Sequence, residues 1–279
     1  MSIAIIADAK TDELEALRAA FLKKGFESAP FIKTSKIGLY TDSQRTEIVV
    51  GTINFRKYDA VYLQADAELT QFVEPFLDEL IEEGIYCQAK PDSYYSTSNK
   101  PLMYTILKSR GVPISKTAIV GSPLYAESAV KGFGFPISFK TFSGQRKTQQ
   151  LVLDSERSLK SAAKSIKGGI DAVVLQEYLE DDMEYCFVVG KNVNAVRRKW
   201  DSKNQEHGKK AISYTVSDKD AETALKAAAA MGLDIATVKM IGGKVINVVP
   251  TIDFERFKKA VGTALQERIA DHYWEVLHR

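Results

Sequence analysis

Apolar and polar positions follow two rhythms along this 279-residue chain. In the first ninety residues, short apolar runs alternate with longer amphipathic stretches. "SIAIIAD" reads as a buried strand and "TDELEALRAAFLKKG" as a helix, opened by an N-cap candidate and stopped at Gly25. "YDAVYLQ" (58–64) is another buried strand, "ELTQFVEPFLDELIEEG" a helix with Pro75 as a kink, and "IYCQA" a further strand. Strand and helix in alternation predict a small parallel sheet. "KPDSYYSTSN" (90–99) is polar and reads as a loop containing a domain boundary.

"NKPLMYTILKSRG" then predicts a helix with apolar residues at Leu102, Ile106 and Leu107. "VPISKTAIV" is extended, "SPLYAESAVKGFG" a short helix and "FPISFKTF" a strand. From residue 149 strands dominate: "QQLVL", "DAVVLQEYL", "EYCFVVGKN" and "VNAVRRKW", with a helix, "SERSLKSAAKSI", among them. An Ala-rich helix, "DKDAETALKAAAAMG", ends near Gly232. "DIATVKMI" and "KVINVV", joined by "GG", predict a hairpin, and "DHYWEVLHR" closes an amphipathic helix. The fold class is α/β (α+β), divided as 1–94, 95–148 and 149–279.

Composition narrows the function classes. Hydrophobic content of 45% and charged content of 27% are ordinary for a soluble globular protein. A formal net charge of +2 gives no ground for a nucleic-acid partner, which needs clustered cations. Cys87 and Cys186 lie in apolar runs and read as free thiols. His207, His272 and His278 lack ligand spacing, so no zinc site is expected. The N-terminus has no basic segment before a long apolar one, and no stretch approaches the ~20 apolar residues that span a bilayer. The expectation is a soluble, cytoplasmic chain without a membrane partner.

Several stretches could carry chemistry. Lys140 ends "FPISFK" and could reach a polyphosphate while its stem stays packed, although most such lysines are merely solvated. "TFSGQRKTQQ" could cap phosphates through its backbone, but its single glycine, Gly144, favours a plain surface hairpin. "VLQEYLEDD" runs from a buried strand into an acidic loop. Gln176, Glu177, Tyr178 and Leu179 suit a strand edge that reads adenine through backbone groups, and equally a strand end with a solvated turn. Alternation puts Arg197 and Arg198 on opposite faces, so one of them could meet an anion. Asn204 sits among cations in "SKNQEHGKK". No Gly-rich loop follows the first strand, which weakens a dinucleotide-binding reading.

Read in order, these stretches resemble the ATP-grasp ligases, most closely the RimK-like branch with its LysX-like members. "SNKPLMYTILKSRGVPISKTAIV" is similar to that family's Asp-Lys helix and following strand, with Asn99 at the usual Asp and Lys100 at the nucleotide-binding lysine. "FGFPISFKTFSG" puts Lys140 at the second phosphate lysine, and "VLQEYLE" resembles the adenine hinge. "FVVGKNVNAVRRKW…NQEHGKKA" implies that Arg197 or Arg198 contacts phosphate or a substrate carboxylate and that Asn204 faces the same cleft. The resemblance covers about residues 95 to 265. It implies an ATP-grasp fold behind a small parallel α/β domain, with ATP or ADP bound.

The departures concern the metal. In the family, the last two strands supply an Asp, then a Glu and an Asn two apart, which hold magnesium between the phosphates. The matching residues here are Lys239, Asn247 and Val249. The acid that opens the strand after the hinge falls at Met183, flanked by Asp182 and Glu184, and Glu184 is the candidate nucleotide contact. Magnesium wants carboxylate oxygens. At an effective ε near 20, a lysine ~4 Å from a dication is repelled by about 8 kcal/mol. Magnesium is therefore disfavoured, with Asp253 and Glu255 as acids able to substitute. The resemblance implies a nucleotide binder whose magnesium-dependent catalysis is weakened or lost. The alternative is an active carboxylate–amine ligase working through an acylphosphate with a rearranged metal site. Its partners would be a small carboxylate, an amino acid or a carrier protein, and homo-oligomers are common among the proteins it resembles.

Overall fold

The computed structural model describes all residues except 52–53, 66–69, 144–145, 167–168, 205 and 262–263. Its first unit comprises β1 (Ile3–Ala7), α1 (Asp12–Lys24), β2 (Phe31–Lys33), the hairpin β3 (Gly38–Thr41) and β4 (Thr46–Val49), β5 (Ala60–Gln64), α2 (Thr70–Glu82) and β6 (Tyr86–Cys87). The sheet runs β2-β1-β5-β6 with parallel pairing throughout, as the alternation predicted. Both faces of β1 are buried. Ala4 and Ile6 enter one core; Ile3, Ile5 and Ala7 enter another. That explains its unbroken apolar run, since a covered parallel sheet has no polar face to show.

The middle unit holds α3 (Ser93–Ser98), α4 (Lys100–Ser109), β7 (Thr117–Val120), α5 (Ala126–Ala129), β8 (Ile137–Ser143), β9 (Arg146–Leu153), α6 (Glu156–Ser165) and β10 (Ala172–Glu177). An antiparallel sheet, β7-β10-β8-β9, covers its own small core. The division expected at 148 therefore falls inside β9, and the sheet extends to residue 177. A polar edge hairpin looks like a boundary in sequence, but ladder bonds tie both of its strands to the same sheet.

The stretch 90–99 differs from its reading as a loop. Residues Ser93 to Ser98 form α3, in which Ser93, Tyr94, Ser96, Thr97 and Ser98 are buried. The hydroxyls of Ser96 and Thr97 donate to Ser93 O, and that of Ser98 to Tyr95 O. Short polar side chains that bond back to their own helix can be buried with their hydroxyls satisfied. A pattern of apolar residues cannot reveal such a helix.

The last unit comprises β11 (Met183–Val189), β12 (Asn192–Arg198), β13 (Trp200–Asp201), β14 (Glu206–His207), β15 (Ile212–Tyr214), α7 (Asp218–Ala230), β16 (Ile235–Ile241), β17 (Lys244–Val249), α8 (Phe254–Val261) and α9 (Ala264–Leu277). Its antiparallel sheet runs β15-β12-β11-β16-β17. The predicted Gly-Gly hairpin joins β16 and β17, with Gly242 and Gly243 at φ 55° and 72°. Two positive φ values suit the twist of a two-residue hairpin, and glycine adopts them without strain. The C-terminal helix crosses back to the first unit. Tyr273 packs edge-on to Phe21 and donates its hydroxyl to Val61 O at 2.7 Å. The first and last units thus share their two cores.

Gly232, after α7, ties the last unit to the segment that opens α3. Its carbonyl accepts from Lys90 N and from Ser93 Oγ, both at 2.9 Å. Its φ is 69°, and a Cβ there would lie 3.0 Å from Ser93 Oγ and 3.1 Å from Lys90 Cβ. Gly232→Ala is expected to destabilise the protein by about 1–2 kcal/mol. A thermal melt should fall by several degrees, and an unchanged midpoint would refute this account of the seam.

Candidate functional site

A cleft of about 750 Å³ opens between the middle sheet and the last sheet. It is lined by Lys100, Tyr104, Lys140, Phe142, Met183, Tyr185, Arg198, Lys239, Ile246 and Asn247, with Gln150, Glu206 and His207 at its edges. Three of these side chains are lysines, each from a different element.

Lys100 is the first residue of α4, directly after the cap residue Asn99, whose Oδ1 accepts from Leu102 N at 3.1 Å. Its ammonium donates to Asn247 Oδ1 at 2.7 Å and to Thr97 O. Both acceptors are neutral. Burial, followed by the nearby charges of Lys239 and Lys140, pushes its pKa down to about 7. Lys140 projects from β8 and donates to Gln176 Oε1 at 2.6 Å. Lys239, on β16, lies opposite Tyr185 on one side and Asn247 on the other. Its ammonium is 5.4 Å from the Tyr185 ring centroid.

Strand alternation decides which neighbours share the cleft. Met183 and Tyr185 on β11 face it, as do Lys239 on β16 and Arg198, which pairs with Met183. Asn247 and Val249 lie on that face of β17 and also line a second hollow of about 510 Å³, together with Asp8, Gln64 and Lys100. The positions that the resemblance matched to the metal ligands, Lys239, Asn247 and Val249, therefore share one face. A register shift beside Met240 bulges β17 at Ile246, whose carbonyl turns to the Tyr104 hydroxyl at 2.9 Å.

The paired arginines have separate surroundings. Arg198 donates to Gly208 O at 2.6 Å, His207 O at 3.0 Å and the Tyr185 hydroxyl at 3.3 Å, which fixes its guanidinium at the cleft mouth. Arg197 lies on the opposite face. It bonds Glu184 at 2.8 Å, lies 3.6 Å from Asp182 and stacks 3.4 Å from the Tyr214 ring centroid. Of the two arginines, Arg198 lines the cleft, and Arg197 is held in ion pairs away from it. Glu184 goes with it: burial pushes its carboxyl up against the pull of Arg197, and Met183 takes the place at the cleft.

The remaining candidates scatter. Gln176 is buried, and its side chain is engaged with Lys140, Tyr104, Ser115 and Thr117. The Glu177 and Tyr178 amides donate to Lys116 O and Pro136 O, at 2.9 and 3.3 Å. The Glu177 carboxylate pairs with Lys244 at 2.8 Å, which holds it below the usual carboxylate range. Tyr178 meets Trp200 edge-on, and Leu179 follows it in the acidic turn. Asn204 is exposed at the β13–β14 turn and bonds Asp201 at 2.7 Å. Asp253 and Glu255 line a third hollow of about 630 Å³, with Arg198, Lys209, Lys210 and Arg256. There Asp253 caps α8 and pairs with Arg256 at 2.9 Å. Gly144 lies outside the described residues.

Tyr104 and Tyr185 are among the cleft residues that were missed in the sequence. Tyr104 stands four residues after Lys100, on the same face of α4, which was the available signal. Tyr185 collects Lys239, Arg198 and, 4.2 Å above its ring, Arg256. Its place two after Met183 put it on the cleft face.

The sequence model of the RimK-like ATP-grasp domain matches residues 97–273. The chain belongs to this family. A protein of Haemophilus influenzae (strain ATCC 51907 / DSM 11121 / KW20 / Rd), named "Probable alpha-L-glutamate ligase", is 24% identical over 228 residues, which is 77% of this chain and 75% of that protein. Among solved structures, the ATP-grasp ligase PsnB complexed with minimal precursor, Mg and ADP superposes with a TM-score of 0.75 at 14% identity. That likeness covers 99% of this chain and 98% of PsnB. The RimK domain protein ATP-grasp from Sphaerobacter thermophilus DSM 20745 gives 0.71 at 16% identity, over 98% and 99% of the two chains. These structures share the ATP-grasp fold with this member of the RimK-like family.

Proposed function

We propose that this RimK-like chain binds ATP or ADP in the cleft and that ammonium groups there do the work usually given to divalent ions. The observation that carries the reading is the convergence of Lys100, Lys140 and Lys239 on one cleft, where burial first and then the other two ammoniums push the pKa of Lys100 down. Like charges drawn together at such cost imply an anionic partner with several charges. Phe142, Met183 and Ile246 add apolar walls for a flat base. PsnB, of the same fold, holds ADP.

Magnesium does not fit the residues present. Lys239 carries the wrong sign, Val249 has no donor, and Asn247 offers a neutral oxygen that already accepts from Lys100. Glu206 stands exposed on β14, at the edge of the cleft. Among the described residues, no group of three or more His, Cys, Asp or Glu is arranged to hold a metal ion. In this reading, magnesium-dependent ligation is weakened or absent, and the chain acts as a nucleotide-responsive partner. A second reading, favoured by the fixed guanidinium of Arg198 at the junction of two hollows, is an ATP-dependent carboxylate–amine ligase. It would join a carboxylate to an amino acid, a peptide or a carrier protein.

Thermal shift with ATP and with ADP, in magnesium and in EDTA, separates these readings. A hundredfold excess over Kd stabilises by about 2.7 kcal/mol, enough to move a melt by several degrees. The expected result is a shift that EDTA leaves unchanged. A shift that needs magnesium would favour the ligase, and no shift with either nucleotide would end the binding proposal.

A further inference from the structure

Gln176 lies at the meeting point of three elements and is 3% exposed. Its amide nitrogen donates to Ser115 Oγ at 3.2 Å and to Thr117 Oγ1 at 3.0 Å. Its Oε1 accepts from Lys140 Nζ at 2.6 Å and lies 3.1 Å from the Tyr104 hydroxyl. A primary amide has two N–H donors and an oxygen with two lone pairs: both donors and one lone pair are taken, and the other lone pair shares the single Tyr104 hydroxyl proton with Ile246 O. No N–H donor remains in the side chain for reading a base.

Its partners belong to both walls of the cleft. Gln176, Lys140 and Thr117 sit on β10, β8 and β7 of the middle sheet. Tyr104 is on α4, and the Tyr104 hydroxyl also touches the carbonyl of Ile246, freed by the bulge in β17. Tyr104 is 4% exposed. A continuous polar chain therefore runs from Ser115 and Thr117 through Gln176 to Tyr104 and the last sheet. Lys140 hangs from its middle. A lysine has four rotatable side-chain bonds, and restricting it before a ligand arrives removes much of the ordering cost of binding.

We infer that Gln176 is a positioning residue: it holds the Lys140 ammonium at the cleft and, through Tyr104, fixes the middle sheet against β17. The holding function is independent of the ligand. Its consequence for phosphate affinity rests on the nucleotide reading above. A neutral amide suits this task better than a carboxylate, which would neutralise the cation it holds.

Two measurements on the whole protein test this separately. The first needs no nucleotide. In 15N-lysine spectra, the Lys140 ammonium, assigned through Lys140→Arg, should be restrained in the parent and mobile in Gln176→Leu. Tyr104→Phe, which removes one contact to the same oxygen, should loosen it less and serves as the check should Gln176→Leu not fold. An equally restrained Lys140 in the variant that folds would overturn the inference, whatever the protein binds. The second compares ATP with adenosine. Gln176→Leu and Gln176→Glu should each weaken ATP at least tenfold and leave adenosine unchanged. Gln176→Glu should keep Lys140 restrained, because its carboxylate still accepts the ammonium. If adenosine weakens equally, Gln176 reads the base or merely supports the fold, and the inference fails. If the parent binds neither ligand, the nucleotide reading fails and the lysine spectra still decide the positioning role.

Discussion

Lys100→Met raises the melting temperature of the nucleotide-free protein at neutral and acidic pH, and it removes much of the rise in stability that the parent gains from pH 7 to pH 10. Lys100 in the fold has its pKa lowered from 10.5 to about 7, first by burial and then by Lys239 and Lys140. Between those two values the unfolded chain binds more protons than the folded one, so stability increases with pH. Below about 7 the ammonium is charged in both states, and the fold bears the whole cost. Each unit is worth roughly 1.4 kcal/mol. Water reaching the cleft reduces the total to a few kcal/mol. Methionine keeps the packing of the stem and drops the charge. Melts of both proteins at pH 6, 8 and 10 measure the difference in slope. Parallel curves would show that Lys100 is solvated and unperturbed.

The same residue links protons to ligand. A bound phosphate restores the charged form of Lys100, so nucleotide binding near pH 8 should take up protons and weaken as pH rises. Calorimetry in two buffers of different ionisation enthalpy would detect the uptake. The stability that Lys100→Met gains is thus expected to cost nucleotide affinity, by more than tenfold. A cleft that is electrostatically strained when empty and relieved when filled is a common arrangement at binding sites.

The parts of this molecule that could be read from sequence are those in which side-chain period and environment agree. β1 and β5 declare themselves because both faces of their sheet are covered. The β16–β17 hairpin does so because two glycines leave few other turns. Lys100 and Lys140 were legible from the order of short motifs, since Lys100 opens α4 and Lys140 interrupts the apolar run of β8 at the cleft. α3 was not, because its hydroxyls satisfy themselves along their own helix. The choice between Arg197 and Arg198 could not be made either. Alternation separates the two faces but does not say which one meets α7, and Glu184 decides that only when the strands pair. Gln176 was noticed for its place in a hinge. Its bonds to Ser115, Thr117 and Tyr104 span up to 72 residues and are invisible to any local pattern.

The combined variant Lys239→Asp, Asn247→Glu, Val249→Asn is expected to make nucleotide binding dependent on magnesium. Asn247 is the cross-strand partner of Lys239, and Val249 stands two residues further on the same face. Two carboxylates and an amide oxygen would then face the cleft beside Lys100 and Lys140, an oxygen set that suits a hard dication bridging phosphates. In the empty protein the new carboxylates should also pair with Lys100 and restore its charge, so the variant should lose the steep rise in stability above pH 7. With ATP at a hundredfold excess over Kd, magnesium should add about 2–3 kcal/mol of stabilisation that EDTA abolishes, whereas the parent should be indifferent to both. If the variant folds, as judged by circular dichroism, and magnesium still has no effect, then charge at these three positions does not control metal binding. Lys239 would then be an ordinary strand lysine resting on Tyr185.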